Sequence, residues 1–166
     1  MIDQPTIHRR TGVATVVGIL SALYASTFLV GALLHLGWRI PLGFTVLAEP
    51  KILPATFVEG LCGLALAGAA IAVFTSIRWA WTAAFAAHSF SFGGVLLGMG
   101  ALAVGAGPST ELNAIYHRVM LVALVAVLVL LLSPTGRTAL RRAGRPIVIQ
   151  STLNIWTSSR GLRSRA

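Results

Sequence analysis

Four long apolar stretches, separated by short segments that contain glycine, proline or charge, organise the chain. A helix needs about 20 consecutive apolar residues to cross the hydrocarbon core of a bilayer. Each stretch reaches that length, and very few charged residues interrupt them. The pattern therefore predicts transmembrane helices over residues 13–36, 55–77, 80–104 and 111–132.

The connections between these helices predict how the helices run. Gly37, Pro41, Gly43 and Pro50 interrupt the first connection, as is typical of a loop. The second and third connections are only a few residues long, and short connections force neighbouring helices to be antiparallel. The predicted fold class is all-α: an integral membrane bundle of four helices that run alternately up and down.

Composition supports lipid as the surroundings of most of the chain. Of the 166 residues, 56% are hydrophobic and only 10% are charged. Soluble domains carry about 25% charged residues, which they need to cover a water-facing surface. Cys62 is the only cysteine, which excludes an intrachain disulfide and the Cys-x-x-Cys site of dithiol oxidoreductases.

The head, residues 1–12, and the tail, residues 133–166, are both expected in the cytoplasm. Arginines in the head, in the connection after the second helix and in the tail would all fall on one side of the membrane. The opposite side has Arg39 and Lys51, which Glu49 partly offsets. Because basic residues flank helices on the cytoplasmic side, this asymmetry predicts a plasma-membrane protein with both termini inside.

The tail carries arginines and no acidic residue. Juxtamembrane arginines are attracted to anionic lipid headgroups by about 1 kcal/mol each. We expect this contact from Arg137, Arg141, Arg142 and Arg145. A docking site for a protein partner is the alternative. Since the basic residues flank helices, we expect lipid and not nucleic acid to be their partner.

Ionisable side chains within the hydrocarbon are costly, and by default they suggest a function. Glu59 lies about one turn into the second helix and is a candidate proton or cation site. The structural alternative is an ion pair with Arg118, which could also reach the interface through its long side chain. His35, Glu59 and His117 come from three helices and should fall in one layer near the outer side. Two histidines and a carboxylate form a common metal-ligand set, so this layer predicts a transition-metal site; simple hydrogen bonding of each histidine is the alternative.

His88 should lie closer to the bilayer centre, about 10 Å from the His117 layer along the membrane normal. That separation is too large for a metal ion shared with His117. His88 is therefore a separate candidate, either as a haem ligand or as a proton relay. The alternative is a core histidine that is hydrogen-bonded within the bundle.

Small residues mark the faces on which membrane helices pack, because lipid supplies no hydrophobic force between them. Helical spacing places Gly94 and Gly98 on one face of the third helix, and Gly60 and Gly63 on one face of the second. Gly31 marks the corresponding face of the first helix. We expect neighbouring helices to approach closely at these positions.

Two segments carry a family resemblance: PATFVEGLCGLALAG at residues 54–68 and NAIYHRVM at residues 113–120. Together with the four closely spaced helices over residues 13–132, they resemble small four-helix bacterial membrane proteins, including DoxX-like ones. The resemblance implies the bundle fold and assigns no catalytic residue.

Three functions remain open from the sequence. The first is a non-enzymatic structural, assembly or accessory subunit, in a homo-oligomer or a membrane complex; it is favoured because no phosphate-binding glycine loop, nucleophile elbow or HExxH motif is present. The second is a redox module that holds haem or a transition metal on its intramembrane histidines. The third is a small proton- or cation-coupled transporter that uses Glu59 and acts as a dimer.

Overall fold

A computed structural model describes residues 12–108 and 110–142. Four long helices dominate it: α1 Gly12–Leu36, α2 Leu53–Phe74, α3 Ala80–Ala103 and α4 Glu111–Leu132. Each is long and apolar enough to cross a membrane. Successive helices pack against each other and are antiparallel, so the predicted four-helix fold class is confirmed. The predictions for residues 1–11 and 143–166 lie outside the described residues.

The outward faces of the long helices are apolar. Val122, Leu97 and Leu23 are 71%, 63% and 56% exposed, whereas His88 and Ser91 are fully buried. A water-soluble protein shows the opposite arrangement, with large apolar side chains inside and polar ones outside. The bundle is therefore a membrane-embedded one, with lipid as the solvent of its outer surface.

The second helix differs from the predicted range 55–77 at both ends. It begins at Leu53, because Pro54 fits the first helical turn, where a missing backbone N–H costs no hydrogen bond. It ends at Phe74, where Ser76 adopts a left-handed conformation with φ 54°. Two backbone hydrogen bonds from Ser76 and Ile77 then close the helix in a Schellman motif.

Replacing Ser76 by glycine is expected to stabilise the protein by less than about 1 kcal/mol. The left-handed conformation costs an L-residue about 1–2 kcal/mol, and the greater unfolded-state entropy of glycine offsets part of the relief. Thermal unfolding in one detergent measures the effect. Thr75→Gly is the matched control: Thr75 is right-handed at φ −85°, so glycine there should destabilise. A Ser76→Gly protein that unfolds at a lower temperature would contradict the prediction.

Two short elements lie in segments that the sequence analysis treated as loop or tail. Strands β1 Ile40–Pro41 and β2 Val46–Leu47 pair antiparallel and form a hairpin between α1 and α2. Helix α5, Pro134–Arg142, follows α4 after a single residue. Ser133 begins it, because its hydroxyl accepts a hydrogen bond from the Gly136 N–H at 3.0 Å.

Helix α5 packs across the end of the bundle opposite the hairpin. Leu140 is 1% exposed and belongs to an apolar cluster with Val17, Val73 and Leu131 from three of the long helices. The first residues of the predicted tail are therefore part of the bundle.

Arginines of α5 lie beside an aromatic ring at this end of the bundle. The guanidinium carbons of Arg137 and Arg141 lie 5.9 and 4.7 Å from the centroid of Trp81, within the range of a cation–π contact. Of the four arginines expected at lipid headgroups, these two are described. The side chain of Arg142 and the whole of Arg145 lie outside the described residues.

The predicted small-residue faces differ in how closely they pack. A side chain at Gly63 would meet the Ala25 carbonyl oxygen at 3.2 Å, and one at Gly94 would meet the Cys62 sulfur at 2.7 Å. Gly60 leaves more room, with its nearest neighbour at 4.0 Å. Helix α2 therefore lies close to α1 at Gly63, and α3 lies close to α2 at Gly94.

Helices α1 and α4 meet through aromatic side chains. Tyr24 donates a hydrogen bond to the Ala123 carbonyl at 3.4 Å. The Phe28 ring makes an edge contact with Tyr116, with 6.2 Å between centroids. Between these rings and the hairpin, α1 and α4 leave space for a cavity.

Candidate functional site

Two buried ionisable side chains meet near the hairpin. His35 in the last turn of α1 and Glu59 in the second turn of α2 are 2% and 5% exposed. The His35 Nε2 lies 3.8 Å from the Glu59 Oε1. The His35 Nδ1 is 3.1 Å from the carbonyl of Pro50 and must carry a hydrogen, because a carbonyl only accepts. The pair can therefore hold one proton on either member, as imidazolium and carboxylate or as imidazole and carboxylic acid.

The second carboxyl oxygen of Glu59 has no hydrogen-bond partner among the described residues. It lies against Gly31 of α1, where any side chain would collide with the carboxyl group. Buried polar atoms are nearly always hydrogen-bonded, so an exception calls for an explanation. A proton on this oxygen, or a cation bound to it, would satisfy it.

Two cavities adjoin the pair. The smaller cavity, about 160 Å³, lies between α1, the hairpin and α4, and the larger cavity, about 230 Å³, lies between α2, α3 and α4. His35, Glu59 and Asn113 line both. The His35–Glu59 pair and Asn113 are therefore the polar side chains that the two cavities share.

His117 lines the larger cavity with His35 and Glu59, in the layer expected from the sequence. Its Nδ1 donates to the carbonyl of Asn113 at 2.9 Å, which leaves Nε2 as the acceptor. That nitrogen faces Gly98, where a β-carbon would lie 2.6 Å away. Within residues 12–108 and 110–142, no three His, Cys, Asp or Glu side chains come close enough together to hold a metal ion.

His88 lies deeper, away from both cavities. Its Nδ1 donates to the carbonyl of Ala84 at 2.7 Å, and its ring makes an edge contact with Tyr24 at 6.2 Å between centroids. Its Nε2 is buried and has no hydrogen-bond partner among the described residues. The Nδ1 hydrogen bond is what the alternative for His88, a core histidine bonded within the bundle, predicts. The other ring nitrogen, Nε2, accepts no hydrogen bond from the described residues.

Arg118 does not join the site. It is exposed on α4, and the described residues include no ion pair between it and Glu59. Its depth matches that of His117, but one residue along a helix turns a side chain by about 100°. That rotation places His117 inside the bundle and Arg118 outside. The structural alternative of a Glu59–Arg118 ion pair is therefore not found among the described residues, and Glu59 lies beside His35 instead.

Glu49 is part of the site, although the sequence analysis used it only as a charge offset. Its carboxylate oxygens lie 2.9 and 2.8 Å from the hydroxyl of Thr110, which donates to them. The same Thr110 oxygen accepts from the Asn113 N–H at 3.1 Å and caps α4. This contact fastens the loop after the hairpin to α4 and places Glu49 in the wall of the smaller cavity.

Tyr116 is a second site residue that the sequence analysis did not single out. It lines the smaller cavity, and its buried hydroxyl has no hydrogen-bond partner among the described residues. Its position three residues after Asn113, on the same face of a helix, is the signal that could have found it.

A comparison of the chain with protein-family models, with curated proteins and with solved structures finds no match. The DoxX-like resemblance stays a prediction.

Proposed function

We propose that the chain is a small proton- or cation-coupled carrier of the plasma membrane, in which Glu59 binds the proton or cation. One observation carries the proposal: Glu59 is buried within a membrane helix, faces His35 with one oxygen, and has no hydrogen-bond partner among the described residues for the other, while its side chain lines two cavities. A carboxyl group within a membrane helix is costly, and by default it suggests a function.

The chemistry of the pair suits an exchange of one cation for one proton. When Glu59 is protonated and His35 is neutral, the pair carries no net charge. When a cation binds the free oxygen, the proton leaves, and the site remains neutral. Because the site is neutral with either the proton or the cation bound, little buried charge has to be stabilised in either state. A carrier needs this in order to change conformation with either ion bound.

We further propose that the hairpin end faces outside and the α5 end lies in the cytoplasm. Arg78, Arg137 and Arg141 are found at the α5 end, as the positive-inside rule expects. Trp81 holds two of these guanidinium groups close to the end of the bundle, where anionic headgroups are their natural partners. Because four helices enclose little volume, a homodimer is the proposed working unit.

The test is cation-dependent proton flux in liposomes. Purified protein is reconstituted with a pH-sensitive dye inside, a pH gradient is imposed, and Na⁺ or K⁺ is added outside. The native protein should couple cation entry to a change in internal pH. Glu59→Gln keeps the size of the side chain and removes its charge, so its flux should fall to that of empty liposomes.

Arg118→Gln is the matched control, because it removes a charge at the same depth from a side chain that is exposed and outside the site. Its flux should equal that of the native protein. Equal flux in native protein, Glu59→Gln and empty liposomes would overturn the carrier proposal and favour the accessory-subunit hypothesis.

A further inference from the structure

The larger cavity has polar side chains from three helices in an otherwise apolar wall. We propose that it binds a small neutral molecule with an apolar body and one hydrogen-bond donor. This inference goes beyond the proposed carrier, because the ligand is uncharged and its binding needs no ion gradient.

The imidazole of His117 supplies a hydrogen-bond acceptor in this wall. His117 is 93% buried, because only 7% of its surface is exposed. Its Nδ1 donates to the carbonyl of Asn113, so Nε2 of the neutral ring carries a lone pair and no hydrogen. Unlike the enclosed Nε2 of His88, this nitrogen keeps accessible surface, and the larger cavity is the space that His117 lines. A ligand that donates a hydrogen bond would satisfy it.

Two further acceptors belong to the His35–Glu59 pair. Nδ1 of His35 donates to the Pro50 carbonyl, so Nε2 of the neutral ring accepts. The 3.8 Å between this nitrogen and the Glu59 Oε1 is too long for a hydrogen bond, and both atoms keep accessible surface. Asn113 adds an amide, which both donates and accepts. Acceptors therefore outnumber donors among the side chains of the wall, which favours a ligand that donates.

The charge of the wall favours a neutral ligand. The described residues that line the larger cavity include one carboxyl group, Glu59, and no lysine or arginine. With one proton shared between Glu59 and His35, the pair has no net charge. A charged ligand would then lack a counter-charge inside a bundle surrounded by lipid, where an unpaired charge is costly. A neutral ligand avoids that cost.

The rest of the wall and the volume set the size of the apolar body. Apolar side chains from the three walls include Ile52, Val58, Leu97 and Leu102. Ligand sites typically combine such a lining with a few polar groups that fix orientation. The cavity measures about 230 Å³. An engineered protein cavity of about 150 Å³ holds benzene, so this one has room for two fused rings. Indole, a bicycle with one N–H donor, is therefore a suitable probe.

The experiment compares indole with benzofuran by isothermal titration calorimetry, on the full chain in detergent at pH 7.5. The two bicycles have nearly the same shape, and benzofuran has an oxygen in place of the N–H. Both affinities are corrected for partition into protein-free micelles. Indole should bind at least about fivefold more tightly, because benzofuran leaves the His117 acceptor unpaired. Equal affinities, or no saturable binding of indole, would overturn the proposal without the use of any variant.

Variants of the wall locate the binding site. His117→Phe keeps a ring and removes the acceptor, so the preference for indole over benzofuran should disappear. Gly98→Ala keeps His117 but places a methyl group 2.6 Å from its Nε2, and it serves the same purpose if the phenylalanine variant does not fold. Gly100→Ala, in the same helix with open space around it, is the matched control and should keep the preference. A folded His117→Phe or Gly98→Ala protein with the native preference would place the ligand elsewhere and overturn the proposal.

Failure of this inference is distinguishable from failure of the proposed function. If indole binds as expected while no flux depends on Glu59, the site is confirmed and the carrier is wrong. If indole shows no preference while cation-dependent proton flux still requires Glu59, the ligand class is wrong and the carrier stands.

Discussion

Gly63→Leu is expected to force α1 away from α2 and to lower the free energy of unfolding by about 1–3 kcal/mol. A β-carbon at this position would lie 2.7 Å from the Leu29 Cγ and 3.2 Å from the Ala25 carbonyl oxygen. Leu29 can change rotamer, but the Ala25 carbonyl moves only if α1 moves. In lipid no hydrophobic force draws the helices back together, so the lost packing is not recovered.

Gly68→Leu in the same helix is the matched control. A β-carbon at Gly68 has no neighbour within 4 Å, so the side chain projects into lipid. Both substitutions gain the same helix propensity, and the difference between them isolates the close approach of α1. Thermal unfolding in one detergent should show Gly63→Leu well below the native protein and Gly68→Leu at or above it. Equal unfolding temperatures for the two variants would mean that the close approach does not stabilise the bundle.

The ends of the long helices could be predicted where local residues determine them. Helix α4 has the predicted range, and α1 ends at Leu36 as expected, because Gly37 adopts a left-handed φ of 104° and closes the helix. The end of α2 was predicted too late, since Ser76 takes the same role that glycine has elsewhere. A serine in that conformation is uncommon, and the sequence pattern carries no sign of it.

The short elements depend on contacts that are distant in sequence. Helix α5 has nine residues, too few to be stable in isolation, and it is held by Leu140 in the apolar cluster. The hairpin has two residues in each strand and is fastened through Glu49 to Thr110, 61 residues away. The spacing of apolar residues along the chain does not reveal contacts between residues that are far apart in sequence.

The layer that the site residues share along the bundle could be predicted, whereas their direction around each helix could not. Counting 1.5 Å per residue placed His35, Glu59 and His117 in one layer, and all three line the larger cavity. Which of His35 and Arg118 faces Glu59 depends on how the helices are rotated against each other. In the structure, α1 lies against the Glu59 carboxyl group at Gly31, and His35, one turn further along α1, lies beside the same group.

We expect the His35–Glu59 pair to add little to the stability of the bundle. A buried ion pair gains in attraction roughly what it loses in hydration, and well-packed apolar residues would serve packing as well. The 3.8 Å between Nε2 and Oε1 is longer than a hydrogen bond. A costly pair that contributes little to stability, next to two cavities, is better explained by binding than by packing.

Phe28→Ala is expected to lower the free energy of unfolding by about 2 kcal/mol and to loosen the contact between α1 and α4. Phe28 is 2% exposed, and its ring contacts Tyr116 of α4 at 6.2 Å between centroids. Phenylalanine-to-alanine changes in soluble cores cost about 3–5 kcal/mol, but part of that cost is the return of apolar surface to water. In a bilayer the dispersion and cavity contributions remain while the water term is absent, so the expected loss is smaller.

Phe90→Ala provides the matched control for that measurement, because Phe90 is 51% exposed on the outward face of α3 and loses only contacts with lipid. Thermal unfolding of the two variants in the same detergent should place Phe28→Ala well below Phe90→Ala. Removing the Phe28 ring also removes its edge contact with Tyr116, which lines the smaller cavity. If both variants unfold together, α1 and α4 are held by contacts other than this aromatic pair.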